Sequence, residues 1–315
     1  MRTPTPAERA TFVPWSEVSY EPPYDIEADW VLMSTCAYRC AYCFWDVDAL
    51  GAKISTPATV DRLASFFEGT GLVWLLHLTG GEPFMYPGFL RLCQSLTRRH
   101  YISINTNADS PRIRAFTETV DPEHVDFVHC GVHEEQRALK SGRGRFIENV
   151  MLFKNAGFPV FASVVMDPRL FPTFGEMWQE YADRGVTLIP KALRGPYEGR
   201  TYPRDYTDDQ RRLFLAYARR AADHYATQFA ARKEPPSVNP FMDGPLFLHD
   251  RPDYRGVMCG AGHRFVRIMP DAAIYRCGPA DLIGNVAEGW FERREDPSVC
   301  VDKECPYFCE KYKIT

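Results

Sequence analysis

The chain has 315 residues, 45% of them apolar and 25% charged, with a net charge of −4. That balance excludes a wholly disordered chain and leaves no basic excess for a nucleic-acid partner. No apolar run approaches the roughly 18 residues that span a bilayer, and the N-terminus lacks the apolar heart of a signal peptide, so a cytoplasmic protein with no membrane contact is expected.

After an N-terminal extension, residues 1–24, strand-like runs fall at 29–34, 72–78, 101–105, 125–130, 159–165 and 186–189. Helical spacing lies between them. Val60, Leu63, Ala64 and Phe67 share one face; so do Phe89, Leu90, Cys93 and Leu96, then Phe146, Val150 and Phe153, then Met177, Trp178 and Tyr181. Asn155-Ala-Gly157 is a helix stop. Strand–helix alternation means βαβ units and a parallel sheet. About six such units are too few for an eight-fold barrel, so the α/β fold expected over residues 25–195 is an open or partial barrel. Residues 196–207, rich in Tyr, Pro and Gly, read as a loop that covers the barrel mouth. Thr207 then caps a helix with Phe214, Tyr217, Ala221 and Tyr225 on one face, and 233–245 reads as a linker. Residues 196–245 are thus loop, helix and linker. Residues 246–315 form a small cysteine-bearing module.

Ten cysteines in a reducing compartment read as metal ligands before disulfides. Cys36, Cys40 and Cys43 sit together, and Cys259, Cys277, Cys300, Cys305 and Cys309 crowd the end. Only Cys93 and Cys130 stand alone; both suit apolar packing. Cys36-x3-Cys40-x2-Cys43 follows a strand, at the end where βα barrels keep their active sites. Three thiolates are one short of a full iron–sulfur set and leave one iron open. Structural zinc is the alternative, but it wants four closed ligands, and no histidine follows closely. The five C-terminal cysteines cannot fully ligate two 4Fe–4S clusters, so they suit one cluster or a zinc knuckle.

In context, these motifs resemble the radical S-adenosylmethionine (radical SAM) family. The first triplet, with Tyr42 before its third cysteine, matches the family hallmark. Gly80-Gly81-Glu82, after the second strand, matches the element that holds the SAM amino group: glycines allow close backbone approach, and an ammonium needs acceptors. Thr106-Asn107 resembles the strand end near the SAM ribose, with Ala108 in place of glycine. Gly131 stands where the family usually has a serine. Arg137 fits the arginine that forks onto the SAM carboxylate. The C-terminal cysteines resemble the SPASM and twitch auxiliary-cluster domains, with Ala272 where a hairpin glycine is usual. The ligands implied are four of Cys259, Cys277, Cys305, Cys309 and Cys300, the last being the fifth candidate.

The resemblance implies a partial (β/α)6 barrel with a twitch-like C-terminal domain. It implies two 4Fe–4S clusters, SAM as cofactor, and an external electron donor of flavodoxin or ferredoxin type. The reaction implied is reductive cleavage of SAM to a 5′-deoxyadenosyl radical that removes a hydrogen atom from substrate. Cys130, His133, Lys191 and Arg194, at or near strand ends, are candidate catalytic or substrate-clamping groups, with His129 beside them. Peptide-maturing relatives often carry a recognition domain ahead of the barrel, and only 35 residues precede Cys36. That favours a small polar substrate, a sugar, aminocyclitol or nucleoside in natural-product biosynthesis, undergoing dehydrogenation, epimerisation or carbon–carbon coupling. The alternatives are a ribosomal-peptide maturase with a separate recognition protein, and a non-enzymatic iron–sulfur or zinc protein.

Overall fold

The computed structural model describes residues 22–140, 142–229, 253–277 and 281–301, with positions 248, 303, 313 and 314. Six parallel strands lie side by side in chain order: β1 (Ile26–Val31), β2 (Trp74–Thr79), β3 (Tyr101–Thr106), β4 (Val125–Gly131), β5 (Val160–Met166) and β6 (Leu188–Ala192). Between them run helices α1 (Val47–Gly51), α2 (Val60–Gly69), α3 (Phe89–Leu96), α4 (Ile113–Thr119), α5 (Glu134–Leu139), α6 (Arg143–Asn155) and α7 (Phe174–Asp183). This is a partial (β/α)6 barrel.

Alternation along each strand divides the sheet into two faces. Ala28 and Trp30, Leu76 and Leu78, Ile102 and Ile104, Val128 and Cys130, and Ala162 and Val164 belong to the main core shared with the helices. The opposite, inner face is polar. His77 joins Ser103 at 2.6 Å and Glu27 at 3.2 Å, and His129 joins Asn105 at 2.7 Å and Ser163 at 2.6 Å. These pairings satisfy groups that burial would otherwise penalise. They also explain the position of β1, which begins three residues before the expected run at 29. Glu27 and Asp29 break the apolar pattern because they point inward. Pro190 sits in β6 without cost to a ladder, because β6 is the last strand of its sheet.

Residues 195–202 are not a loop. They form a hairpin, β7 (Gly195–Tyr197) and β8 (Arg200–Tyr202), around Glu198-Gly199, both at positive φ as a tight turn requires. The tyrosine hydroxyls here serve the chain itself. Tyr206 donates to the Met166 carbonyl at 2.6 Å and accepts from the Leu193 amide, and Tyr197 donates to Asp167 at 2.8 Å. Tyr197, Tyr202 and Tyr206 are buried, which corrects the expectation of a polar cover over the barrel mouth.

Helix α8 (Asp208–Phe229) starts with a reciprocal cap, Thr207 Oγ1 accepting from Gln210 N and Gln210 Oε1 accepting from Thr207 N. Its Ala221, Ala222 and Tyr225 pack on Phe127, Phe161 and Ile189, closing the inner face at the N-terminal ends of β4–β6. The opposite end of the strands is left to the site. The expected linker, 233–245, lies outside the described residues.

The C-terminal strands extend the same sheet. β10 (Phe265–Ile268) lies parallel to β1, followed by antiparallel β11 (Ala273–Tyr275), β12 (Leu282–Asn285) and β13 (Trp290–Phe291). Arg62 of α2 reaches the carbonyls of Ala287 and Glu288 at 3.2 and 3.1 Å, fastening this unit to the barrel. A smaller sheet pairs β9 (Met258–Cys259) with β14 (Ser298–Val299) and β15 (Lys313–Ile314). No helix among the described residues is long and apolar enough to cross a membrane.

Candidate active site

The loop after β1 carries the first cysteine triplet, and the turn after β2 lies directly against it. Gly81 N donates to Met33 O at 2.7 Å, and Glu82 N to Thr35 O at 2.9 Å. A Cβ on Gly81 would fall 2.0 Å from the Thr35 carbonyl oxygen, and one on Gly80 would fall 2.3 Å from that of Met33. The two motifs are stitched backbone to backbone, and only glycine permits the approach.

Cys36, Cys40 and Cys43 are half-buried. Burial pushes the Cys40 thiol up to about 12, with the neighbouring Cys36 and Cys43 charges adding to the effect, and burial raises the other two as well. A metal centre that binds these thiols must displace their protons. No three His, Cys, Asp or Glu side chains among the described residues converge tightly enough to grip a single metal ion. Ligands of an iron–sulfur cluster do not share one ion; each takes its own iron. Three cysteines on one loop suit the separate iron atoms of such a cluster. The loop is tied to α5 by Gln136, which accepts from Arg39 N at 3.0 Å and donates to Arg39 O, and by Lys140, which donates to Ala37 O at 2.7 Å.

Glu82 is buried behind that turn. Its Oε1 accepts from Thr106 Oγ1 at 2.7 Å and Phe84 N at 3.1 Å, and its Oε2 from Asn107 N at 2.8 Å. One lone pair on Oε2 remains for a further donor. Burial pushes this carboxyl up to about 7, partly offset by the Asn107 and Thr106 bonds. Thr106, Asn107 and Glu82 thus form one unit across β2 and β3. Ala108, where glycine was expected, keeps the glycine-type backbone at φ 52.

Arg137 is fully buried. Its Nε donates to Val132 O, its Nη2 to Asn107 O and Gly131 O, and its guanidinium lies 4.0 Å over the Phe146 ring. Its Nη1 finds no partner among the described residues. A buried carboxylate with a spare acceptor and a guanidinium with a spare donor suit the ammonium and carboxylate of an amino acid such as the methionyl end of SAM.

His133 is not a free strand-end group. Its Nδ1 lies 3.4 Å from Cys40 Sγ and 3.1 Å from the Tyr42 hydroxyl, so a histidine does meet the triplet, although none is near it in sequence. His129 is held between Asn105 and Ser163, and burial, with the Lys191 charge second, pushes it down to about 3. Lys191 lies on β6, and Arg194 follows it, half-buried. Cys130 is fully buried on the helix-facing side, and burial raises its thiol far above the usual range. Cys93 is packed in the same core.

At the other end, Cys259 and Cys300 share a buried cluster with Ala261, against which Cys277 and Tyr254 pack. Arg276 ties the strands around it, donating to Ala261 O at 3.3 Å and Val299 O at 3.1 Å. Ala272 keeps its left-handed turn at φ 67. Cys305 and Cys309 lie outside the described residues.

Residues 30–174, which hold this first site from the cysteine loop through Arg137, match the family described as the radical SAM superfamily. Those residues form a radical SAM domain. The PqqA peptide cyclase of Gluconobacter oxydans is 24% identical over 283 residues, covering 84% of this chain and 73% of that protein. The GTP 3′,8-cyclase of Caulobacter vibrioides is 43% identical over 65 residues, covering 20% of this chain and 18% of that protein. Among solved structures, anSMEcpe with bound AdoMet and Cp18Cys peptide matches 84% of this chain and 78% of its own at 13% identity, with a TM-score of 0.55. Streptococcus suis SuiB matches 84% of this chain and 64% of its own at 16% identity, with a TM-score of 0.53. Both likenesses are of fold. A domain of this family implies a 4Fe–4S cluster and SAM as cofactors.

Proposed function

We propose that this radical SAM enzyme is of the SPASM/twitch type and acts on a peptide, removing a hydrogen atom from one of its residues at the barrel mouth. The observation that carries this reading is the alignment with a peptide cyclase over 84% of the chain. SuiB, which shares the fold, is known bound to a precursor peptide. The reading replaces the small polar substrate favoured on sequence grounds with the alternative, a peptide maturase. Cyclisation fits carbon–carbon coupling among the reactions implied by the resemblance.

When bound, the first cluster and SAM together supply a 5′-deoxyadenosyl radical. Cys36, Cys40 and Cys43 hold that cluster and leave one iron to SAM. Glu82 takes the SAM ammonium on its spare Oε2 lone pair, and Arg137 offers Nη1 to the carboxylate. Gly80 and Gly81 keep the β2 turn low enough for the methionyl end to lie along it. Thr106 and Asn107 fix the Glu82 carboxylate, and Asn107 also flanks the ribose. Tyr42 orders the cysteine loop. The polar inner face, with His129 held neutral and Lys191 and Arg194 near the mouth, receives the polar parts of the substrate. Cys130 faces the helices and has no part in this chemistry. A second 4Fe–4S cluster would be held by four of Cys259, Cys277, Cys300, Cys305 and Cys309, and the shared burial of Cys259, Cys300 and Cys277 supports a place for Cys300 among them. Such a cluster would supply a one-electron acceptor or relay, and the external donor to the first centre would be of flavodoxin or ferredoxin type.

Because the free Glu82 carboxyl has been pushed up to about 7, SAM binding requires its deprotonation below that pH. The SAM dissociation constant is expected to rise about tenfold per pH unit below neutrality, since each unit costs about 1.4 kcal/mol. Glu82→Gln should weaken binding by about 2 kcal/mol and flatten this dependence. Equilibrium binding between pH 5.5 and 8 measures both; a pH-independent wild type would contradict the role of Glu82. The experiment for the function itself is anaerobic SAM cleavage with and without candidate peptides, sugars and nucleosides, in which only peptides should stimulate 5′-deoxyadenosine release.

A further inference from the structure

Cys40 differs from its two companions in what surrounds its sulfur. Cys36 Sγ accepts from the backbone N–H of Tyr38 at 3.3 Å, and Cys43 from that of Trp45. Cys40 instead meets side chains. His133 Nδ1, from the far side of the barrel mouth, lies 3.4 Å from its sulfur, and the Tyr42 hydroxyl is placed against the same atom. The Tyr42 ring stacks on the imidazole at 6.2 Å and 21°, and the Tyr38 ring meets its edge at 5.9 Å.

Two backbone features support this arrangement. His133 holds a left-handed conformation, φ 50, which costs a non-glycine residue about 1 kcal/mol or more. Gly131 leaves the room: a Cβ there would lie 2.6 Å from the imidazole Nε2. A usual serine at that position would push the ring away from Cys40.

We infer that His133 and Tyr42 tune the reduction potential of the first cluster by donating two hydrogen bonds to the Cys40 sulfur. The inference rests on the iron–sulfur reading of the triplet. A metal-bound thiolate has no proton of its own, so both contacts run from donor to sulfur: the tyrosine O–H points at it, and the Nδ1–H is shared between the sulfur at 3.4 Å and the Tyr42 oxygen at 3.1 Å. Each donor draws electron density from the sulfur and favours the reduced, more negative cluster, raising its potential. The step served is the arrival of one electron; no bond breaks, and both donors keep their protons. His133 therefore acts through Cys40 as a positioning residue.

The test uses the reconstituted holoenzyme. Tyr42→Phe removes one donor and keeps the ring; His133→Gly removes the other with the residue that takes the left-handed backbone at no steric cost. Iron content is measured first. A potentiometric titration then follows the electron paramagnetic resonance signal of the cluster that responds to SAM. Both variants should hold the wild-type iron content and be harder to reduce. In the double variant, the reduced-to-oxidised ratio at a fixed poise should fall about tenfold, about 59 mV for one electron. Full iron content with an unmoved potential overturns the inference and leaves the family reading intact. Loss of about four irons in His133→Gly alone overturns it differently, by making His133 a ligand. A wild type that takes up no SAM-responsive cluster removes the reading on which it stands.

Discussion

Replacing Cys36, Cys40 and Cys43 together with alanine is expected to abolish 5′-deoxyadenosine formation. The triple variant should lose about four irons per chain, the content of one cluster, and keep about four. The reasoning is topological as well as chemical. The three cysteines lie on one loop after β1, while Cys259 and Cys300 are buried together around the separate β9–β14 pair. Among the described residues, the cluster around Cys259 and Cys300 includes none of the first loop, so its iron should survive. Iron analysis and dithionite-driven SAM cleavage, read by chromatography, check both parts. Undiminished cleavage would remove the chemical role of the triplet. Intact cleavage loss with complete iron loss would instead tie the two centres into one folding unit.

Gly81→Ala should be nearly as damaging, for a steric reason. The added methyl would lie 2.0 Å from Thr35 O, 2.3 Å from Ser34 O and 2.4 Å from Thr35 C, all backbone atoms of the cysteine loop. No side chain can rotate away, so the loop or the β2 turn must move. A cost of about 3 kcal/mol in stability is expected, near the upper end for overpacking. SAM binding should fall below detection, because the turn positions Glu82. Gly144→Ala is the control. Gly144 lies in α6 with open space around its would-be Cβ, so the same change should stabilise by about 0.5–1 kcal/mol. Denaturant unfolding of both variants, with equilibrium SAM binding, measures the contrast. Wild-type stability in Gly81→Ala would mean that the two loops are not stitched as described.

The alternation of apolar strands and helices made the barrel legible, since each strand has an apolar face that must meet a helix. Its boundaries slipped where the inner face is polar. Glu27 hid the start of β1, and Pro190 hid the far end of the edge strand β6. The hairpin at Gly195–Tyr202 was missed because its strands are three residues each, too short for alternation to register. Chemistry concentrated in short motifs was readable: the cysteine triplet, Gly80-Gly81-Glu82 and Thr106-Asn107 are all brought to one end of the sheet. Pairings set only by closure of the barrel were not. His133 and Cys40 lie 93 residues apart, and no local pattern announces their contact. The available clue was position, since a residue just past a strand's C-terminal end faces the common mouth. Cys130 illustrates the converse. It ends a strand, yet its place in the alternation turns it outward with Val128.

The central claim is that a radical made at the Cys36–Cys40–Cys43 site removes hydrogen from a peptide. The most direct test is the anaerobic cleavage assay with a candidate precursor peptide uniformly deuterated on carbon, compared with deuterated sugars and nucleosides. The account predicts peptide-dependent 5′-deoxyadenosine that is one mass unit heavier, with a peptide product changed in mass. Heavy 5′-deoxyadenosine from a sugar or nucleoside, with none from any peptide, would contradict it.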